Sequence, residues 1–248
     1  MTYNAAIRRK QGGNILEVAA GGRIDETALV TYFTDFLGDQ LEDELLAGVG
    51  SGTGNAVALS IGINGRVEIK TSSVNAAIGA NGSSLGLGAL NWRANQGGLM
   101  METRLQIDNV ASVLLFVGFT DTLGSTVEAP IYLATADIDS DATDACGIVF
   151  DTNGSTAQWA HGGVKADVDT VPAYIGSAPV AATYYKLRVE VSAAGAVQGF
   201  VNDVPIGPPV ANAVTASTPL VPIIFVANRT GSVRNVLVDY LHVQANRL

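Results

Sequence analysis

Asp137, Asp139, Asp141 and Asp144 form the densest group of side chains able to do chemistry. Carboxylates at alternate positions can converge on a hard cation, as in the first half of a calcium loop. The second half of that pattern fails. Position six is Ala142, where the sharp turn needs glycine, and position twelve is Ile148, where a bidentate glutamate belongs. An acidic connection between strands is the default, in which calcium would do no more than stiffen the loop. The glycine-rich run 48–54 is no phosphate cradle, because no Gly-Lys-Ser/Thr follows it and a strand pattern comes next. His161 and His242 are the only histidines and Cys146 the only cysteine. One cysteine permits neither an internal disulfide nor a multi-cysteine zinc site, and no local feature joins it to a histidine as a nucleophile.

Two further chemistries remain. Glycoside hydrolysis needs two carboxylates about 5–10 Å apart across a groove. Sandwich glycosidases carry them on one strand as Glu-x-Asp-x-x-Glu, a string this sequence lacks. Glu102 is the best single candidate on an outward strand face, but Met100 and Arg104 beside it are not acids. No enzyme and no cofactor is expected. Glycan binding without catalysis is harder to dismiss, since aromatic faces stack on sugars while Asn and Asp supply polar contacts. Trp92, Trp159, His161 and Tyr174 lie in or near turn-rich segments and suit that role. A large aromatic in a sandwich is equally a core residue, so the direction in which Trp92 and Trp159 point separates the two readings.

Arg8, Arg9 and Lys10 form the only basic cluster. Glycine pairs at 12–13 and 21–22 bracket a short alternating strand, 14–20, with Leu16 and Val18 on one face. One strand cannot bury a face alone, so residues 1–28 read as an arm that attaches or oligomerises.

The elements that must position these groups are almost all strands. The chain has 248 residues, 14 basic against 23 acidic, for a net charge of −9. With 48% hydrophobic and 15% charged residues it is too apolar to be disordered. The charge excludes a broad basic face for nucleic acid. The longest apolar stretches, 110–119 and 219–227, reach about half of the ~20 residues of a membrane helix. No apolar run follows the basic residues of the start, so no secretory signal is read and Asn81, Asn153 and Asn228 carry little weight as glycosylation sites. A soluble chain made in the cytoplasm is expected.

Residues 29–46 are ambiguous, with a short helix allowed only around 39–46 and the acidic run there taken as a solvated face. From Val57 the pattern is β. Two alternating runs flank Asn64-Gly65, a hairpin signal because a type I′ turn needs positive φ at both positions. Residues 99–107 alternate as a half-buried strand, and 112–119 is apolar on both faces, as in a central strand. Hairpins are read at 147–160 about the turn 151–155, at 187–201 about 193–195, and again at Asn202-Asp203. Residues 223–227 and 236–243 are expected to pair across the turn 228–235, and His242 to share a strand face with Tyr240 and Val238. Short strands with regular turns mean a sandwich or barrel.

Certain stretches carry a resemblance. Tyr184-Tyr185-Lys186-Leu187-Arg188-Val189-Glu190-Val191, then Gly199-Phe200-Val201-Asn202-Asp203-Val204-Pro205-Ile206, then Leu220-Val221-Pro222-Ile223 and Val238-Asp239-Tyr240-Leu241-His242-Val243, resemble the concanavalin A-like lectin/glucanase sandwich. Residues 98–107, 116–121 and 147–152 are similar to that fold as tailed-bacteriophage virion proteins carry it. The glycine-punctuated leader resembles segments that open capsid-decorating and fibre proteins. The resemblance implies an all-β, jelly-roll, concanavalin A-like antiparallel β-sandwich over 29–248, with an extended N-terminal arm over 1–28. It also implies a virion structural protein at the particle surface, most simply a capsid decoration (cement) protein and homotrimer. Its partner would be the major capsid protein, reached through Arg8, Arg9, Lys10, Leu16 and Val18. The alternative is a glycan-binding receptor or adhesin module of a head or tail fibre.

Overall fold

A computed structural model describes residues 7–9, 16–18, 29–60, 65–74, 77–123, 127–174 and 176–247. Two antiparallel sheets face each other across an apolar core. The first runs, in spatial order, Val204–Pro205, Val197–Val201, Tyr184–Val191, Leu99–Ile107, Asn235–Asn246, Val67–Lys70 and Ala56–Leu59, with Leu29–Thr34 on the far half of Asn235–Asn246. The second runs Val168–Asp169, Ala160–Lys165, Asp144–Asp151, Val113–Thr120, Val221–Asn228, Ser83–Leu87 and Leu45–Val49, with Ala173–Tyr174 also paired to Ala160–Lys165.

The two sheets differ in what covers their outer faces. In Leu99–Ile107 burial alternates residue by residue, so Leu99, Met101, Thr103, Leu105 and Ile107 enter the core and Met100, Glu102, Arg104 and Gln106 face outward. The first sheet therefore has one face open to solvent. Val113–Thr120, Asp144–Asp151 and Val221–Asn228 are buried at every position. Their outer face lies under residues 127–142, which bring Ile131, Leu133 and Ile138 against Leu114, Phe116, Val149 and Phe225. Burying a Phe such as Phe116 or Phe225 stabilises the fold by roughly 1.5–3 kcal/mol. A buried ion pair fastens this cover. The Arg229 guanidinium grips both carboxylate oxygens of Asp151, whose Oδ2 also accepts the Leu133 N–H at 2.9 Å.

Several expected turns stand. Val191 pairs with Val197 about the 193–195 turn. Val201 pairs with Val204, leaving Asn202 and Asp203 as a two-residue turn with φ of 50° and 66°. Asp144–Asp151 and Ala160–Lys165 form the hairpin about 151–155, although its second strand starts at Ala160. Four expectations are corrected. Leu59 pairs with Val67 and Ala56 with Lys70, a register other than the one a two-residue turn at Asn64-Gly65 would set, although Gly65 has the positive φ of 65° expected of it; residues 61–64 lie outside the described residues. Residues 39–46 hold no helix, and Glu42 is no idle surface acid, since it accepts hydrogen bonds from the Tyr32 and Thr34 hydroxyls. Val221–Asn228 and Asn235–Asn246 do not pair, because each is central to a different sheet and the 229–234 link crosses between them. An irregularity between Val238 and Tyr240 shifts the alternation, so Val238 is buried while Tyr240 and His242 face out.

At the N-terminus, Ile7–Arg9 pairs with Leu16–Val18 in a two-stranded sheet of its own. Leu16 and Val18 are thus in a strand as read from the sequence, but the partner strand holding Arg8 and Arg9 was not foreseen. Lys10 lies outside the described residues. Among the described residues no helix is long and apolar enough to cross a membrane.

Candidate functional site

The open face of the first sheet is where alternation places functional side chains. Cross-strand register lines up Phe200, Arg188, Glu102, His242 and Phe33 in one row over five neighbouring strands. The next row holds Gln198, Glu190, Met100, Gln244 and Thr31, and the row on the other side holds Lys186, Arg104 and Tyr240. With strands about 4.8 Å apart, the first row spans roughly 19 Å. Over its middle lies a groove of about 660 Å³, lined by Met100, Glu102, Arg188, Glu190, Gln198 and His242 among others.

The polar groups in these rows are held in place by one another. Glu102 accepts a hydrogen bond of 2.7 Å from the Tyr240 hydroxyl and lies 4.0 Å from the Lys186 ammonium. Burial, reinforced by that hydrogen bond, pushes the Tyr240 phenol well above its usual range, so it stays a donor. Arg188 reaches Glu190 at 3.0 Å and stacks over Phe200, 4.2 Å from the ring centre. Arg104 lies 4.2 Å over the Tyr184 ring and bonds Asp239 at 2.7 Å. Lys186 bonds Asp203 at 2.7 Å, and the ammonium holds that carboxyl below its ordinary range. Phe33 is 58% exposed, a large apolar ring left open beside Tyr240 and His242 at 6.1 Å each. Charged anchors between aromatic rings are what an amphipathic, hydroxyl-rich ligand needs.

The residues first nominated for sugar contact lie mostly elsewhere. Trp92 is 4% exposed, Trp159 1% and His161 0%, so none offers a face to a ligand. They are corrected to core residues. Trp159 packs between Phe150 and Tyr185, with ring centres at 5.7 and 5.6 Å. Trp92 joins the inter-sheet cluster and pairs with Leu220 through backbone bonds. Tyr174 is half-buried opposite Ala160 on the second sheet and is not among the residues that line the groove. Burial pushes its phenol up.

The four aspartates also disperse. Asp137 and Asp139 lie on the strand Asp137–Asp139, which pairs with Tyr132–Ala134 in the cover. Asp141 accepts from the Ala129 N–H at 3.3 Å. Asp144 is buried and accepts from the Thr215 N–H at 2.6 Å and the Thr218 hydroxyl at 3.2 Å. Among the described residues no three His, Cys, Asp or Glu side chains are placed to hold a metal ion. Cys146 is fully buried, and burial pushes its thiol far up, so it is no thiolate nucleophile.

Glu102 and His242 were singled out in the sequence; Phe33, Arg188, Phe200 and Tyr240 were not proposed as ligand contacts. Their signal was available in the alternation of 99–107 and 184–191. What the sequence could not supply is which strands lie side by side.

Neither a family model nor a curated protein matches this sequence. Solved structures do resemble the fold. The Emp47p carbohydrate recognition domain aligns with a TM-score of 0.57 at 11% identity, covering 91% of this chain and 100% of that one. The Bacillus licheniformis β-glucanase aligns at 0.56 and 11%, covering 86% and 97%. Peanut lectin with a bound 9mer peptide aligns at 0.50 and 14%, covering 88% and 97%. The chain is an all-β jelly-roll, a concanavalin A-like β-sandwich, the architecture of lectins and glucanases. At these identities the likeness is one of fold.

Proposed function

We propose that this chain is a glycan-binding receptor or adhesin module that holds a carbohydrate on the open face of its first sheet and does not cleave it. The row Phe200–Arg188–Glu102–His242–Phe33 carries the reading: exposed or stacked rings at both ends and polar hydrogen-bonding groups between, Arg188 and Glu102 among them. Rings supply faces for sugar C–H surfaces, and the charged groups supply bonds to hydroxyls. Cleavage would need a protonated acid aimed at a glycosidic oxygen and a second carboxylate free to act. Glu102 is instead engaged by Tyr240 and Lys186, and Glu190 by Arg188. A glycan array followed by titration calorimetry tests the reading. Arg188→Ala and Phe33→Ala should each weaken binding of the best glycan about tenfold or more while leaving the melting temperature nearly unchanged, the loss of one good contact being worth about 1.4 kcal/mol. Binding by both variants at full strength would overturn it.

A second reading concerns residues 1–28. We infer that they attach the sandwich to a larger assembly, most simply the outer shell of a tailed-phage capsid, where the chain would act as a decoration protein. The supporting observation is that Ile7–Arg9 and Leu16–Val18 pair with each other and with neither sheet, beside a cluster of three basic residues in an acidic chain. Light scattering of the full chain against one starting at Thr27 tests it. A trimer that falls to monomer supports the arm as an assembly element; a monomer in both cases removes self-assembly through the arm.

A further inference from the structure

His161 is buried on the second sheet, yet both of its hydrogen bonds reach the first sheet and its adjoining loop. The Gly199 N–H donates to Nδ1 at 2.5 Å, and Nε2–H donates to the Pro208 carbonyl at 3.0 Å. Backbone N–H and C=O groups cannot exchange roles, so these contacts fix one neutral tautomer. Each contact lands one residue from the groove: Gly199 follows Gln198 and Pro208 precedes Pro209, both of which line it. Gly199 is glycine for the same reason. A Cβ there would stand 3.0 Å from Nδ1 and 2.8 Å from Ile148.

We propose that His161 is a positioning residue that holds the Gln198–Pro209 wall of the groove in its neutral form, so that acidification releases that wall. Protonation puts a second N–H at Nδ1, pointing at the Gly199 N–H, and two donors cannot share that contact. Nothing nearby compensates the new charge. The facing groups are Ile148 and, two pairs further along the same strand, the Cys146 thiol, kept neutral by burial, with the Asp144 carboxylate beyond it turned to Thr215 and Thr218. From the edge come Ala173 and from the first sheet Gly199. On His161's own strand, Lys165 turns its ammonium to exposed Asn212, and Tyr174 lies opposite Ala160. Among the described residues no charged side chain acts on the ring. Burial lowers the affinity of the imidazole for a proton, and the Pro208 carbonyl opposes that only in part.

The sign follows from linkage. The ring binds a proton more readily when the wall is open than when it is closed, so the closed wall is fully stable above the ordinary imidazole value near 6.5 and weakens as pH falls below it. The wall has other ties, Val197 with Val210 at 2.9 and 3.0 Å and Ile206 to Gly199 at 2.8 Å, and these are the amides on which the release is read.

The inference concerns the site of the proposed function, but it is read without a ligand. A failed glycan array therefore leaves it standing, and a failed latch leaves the glycan reading standing. The experiment is amide hydrogen exchange of the full chain at pH 7.5 and 5.5, corrected for intrinsic rates, with ring nitrogen shifts of His161 followed by NMR. Protection at Val197, Gly199, Ile206 and Val210 should fall about tenfold for each pH unit below the imidazole range, while 99–107 and 113–120 stay protected. His161→Gln, uncharged at both pH values, should show no such change. Should that variant fail to fold, the ring shifts of the wild type decide: protonation must coincide with loss of wall protection. Loss spread evenly over both sheets, protonation with the wall still protected, or full protection at pH 5.5 would each overturn the latch.

Discussion

Asp151 and Arg229 show at the scale of one residue pair how the sandwich keeps a cover on its second sheet. Asp151 ends the buried strand Asp144–Asp151, and Arg229 follows the buried strand Val221–Asn228. Their side chains are 0% and 7% exposed. Asp151 also accepts from Leu133 and Asn153 N–H groups, so one carboxylate ties two strands of the sheet to the covering hairpin. Asp151→Asn keeps the shape and removes the charge, leaving the guanidinium buried and unpaired. Breaking such a pair from one side costs about 3–5 kcal/mol. Urea unfolding, followed by the fluorescence of buried Trp92 and Trp159, should show a loss of that order. A loss below about 1 kcal/mol would mean that water reaches Arg229 once the pair opens. Replacing both partners, Asp151→Asn with Arg229→Met, should recover part of the loss, because the isolated charge is then gone.

Among elements, the hairpins were the most legible because their signals are local. The Asn202-Asp203 turn was readable from two residue types that tolerate positive φ between alternating strands. The structure puts both residues there. This turn also sets two local effects against each other. Asp203 carries the φ of 66°, which costs a non-glycine residue about 1–2 kcal/mol, while its bonds to Lys186 and Arg188 are exposed and worth little. Asp203→Gly should therefore raise thermal stability slightly, by about 0.5 kcal/mol, and free Lys186 beside Glu102. Differential scanning calorimetry checks it, and a clear loss would show that the ion pairs outweigh the backbone. Less local features misled. The helical spacing near residue 41 failed because Tyr32 and Thr34 claim Glu42, and residues 39–44 form a bent connection that ends in a turn, with the Leu45 N–H on the Glu42 carbonyl at 2.9 Å. The apolar runs 223–227 and 236–243 looked like a hairpin because apolar period alone cannot tell a partner in the same sheet from one in the other. The register shift near Asp239 is invisible in the sequence, yet it decides that Tyr240 and His242 face the open side.

For the whole molecule, the consequence lies in how unequally the two ends of the chain contribute. Every strand of the two facing sheets lies at residue 29 or beyond, and none pairs with Ile7–Arg9 or Leu16–Val18. The last strand is different. Asn235–Asn246 lies between Leu99–Ile107 on one side and Val67–Lys70 with Leu29–Thr34 on the other, and it places Val236, Val238, Leu241 and Val243 in the core. The first strand of the sandwich is thus held by the last, and the hairpin of Ala56–Leu59 with Val67–Lys70 joins the rest of the first sheet only through residues 235–246. Contacts of such sequence separation close late and cost loop entropy first. A chain ending at Arg234 should then lose more than one strand: Leu29–Thr34 loses its pairing, the hairpin of Ala56–Leu59 with Val67–Lys70 is cut off from Leu99–Ile107, the core opens, and Val113–Thr120, apolar on both faces, is exposed to association. A chain starting at Thr27 loses none of these pairings. Circular dichroism and gel filtration should find the second folded, with the melting temperature of the full chain, and the first unfolded or aggregated. If the chain ending at Arg234 melted cooperatively as a compact species, the second sheet with its cover would be a folding unit on its own, and the sandwich would be two layers assembled in sequence.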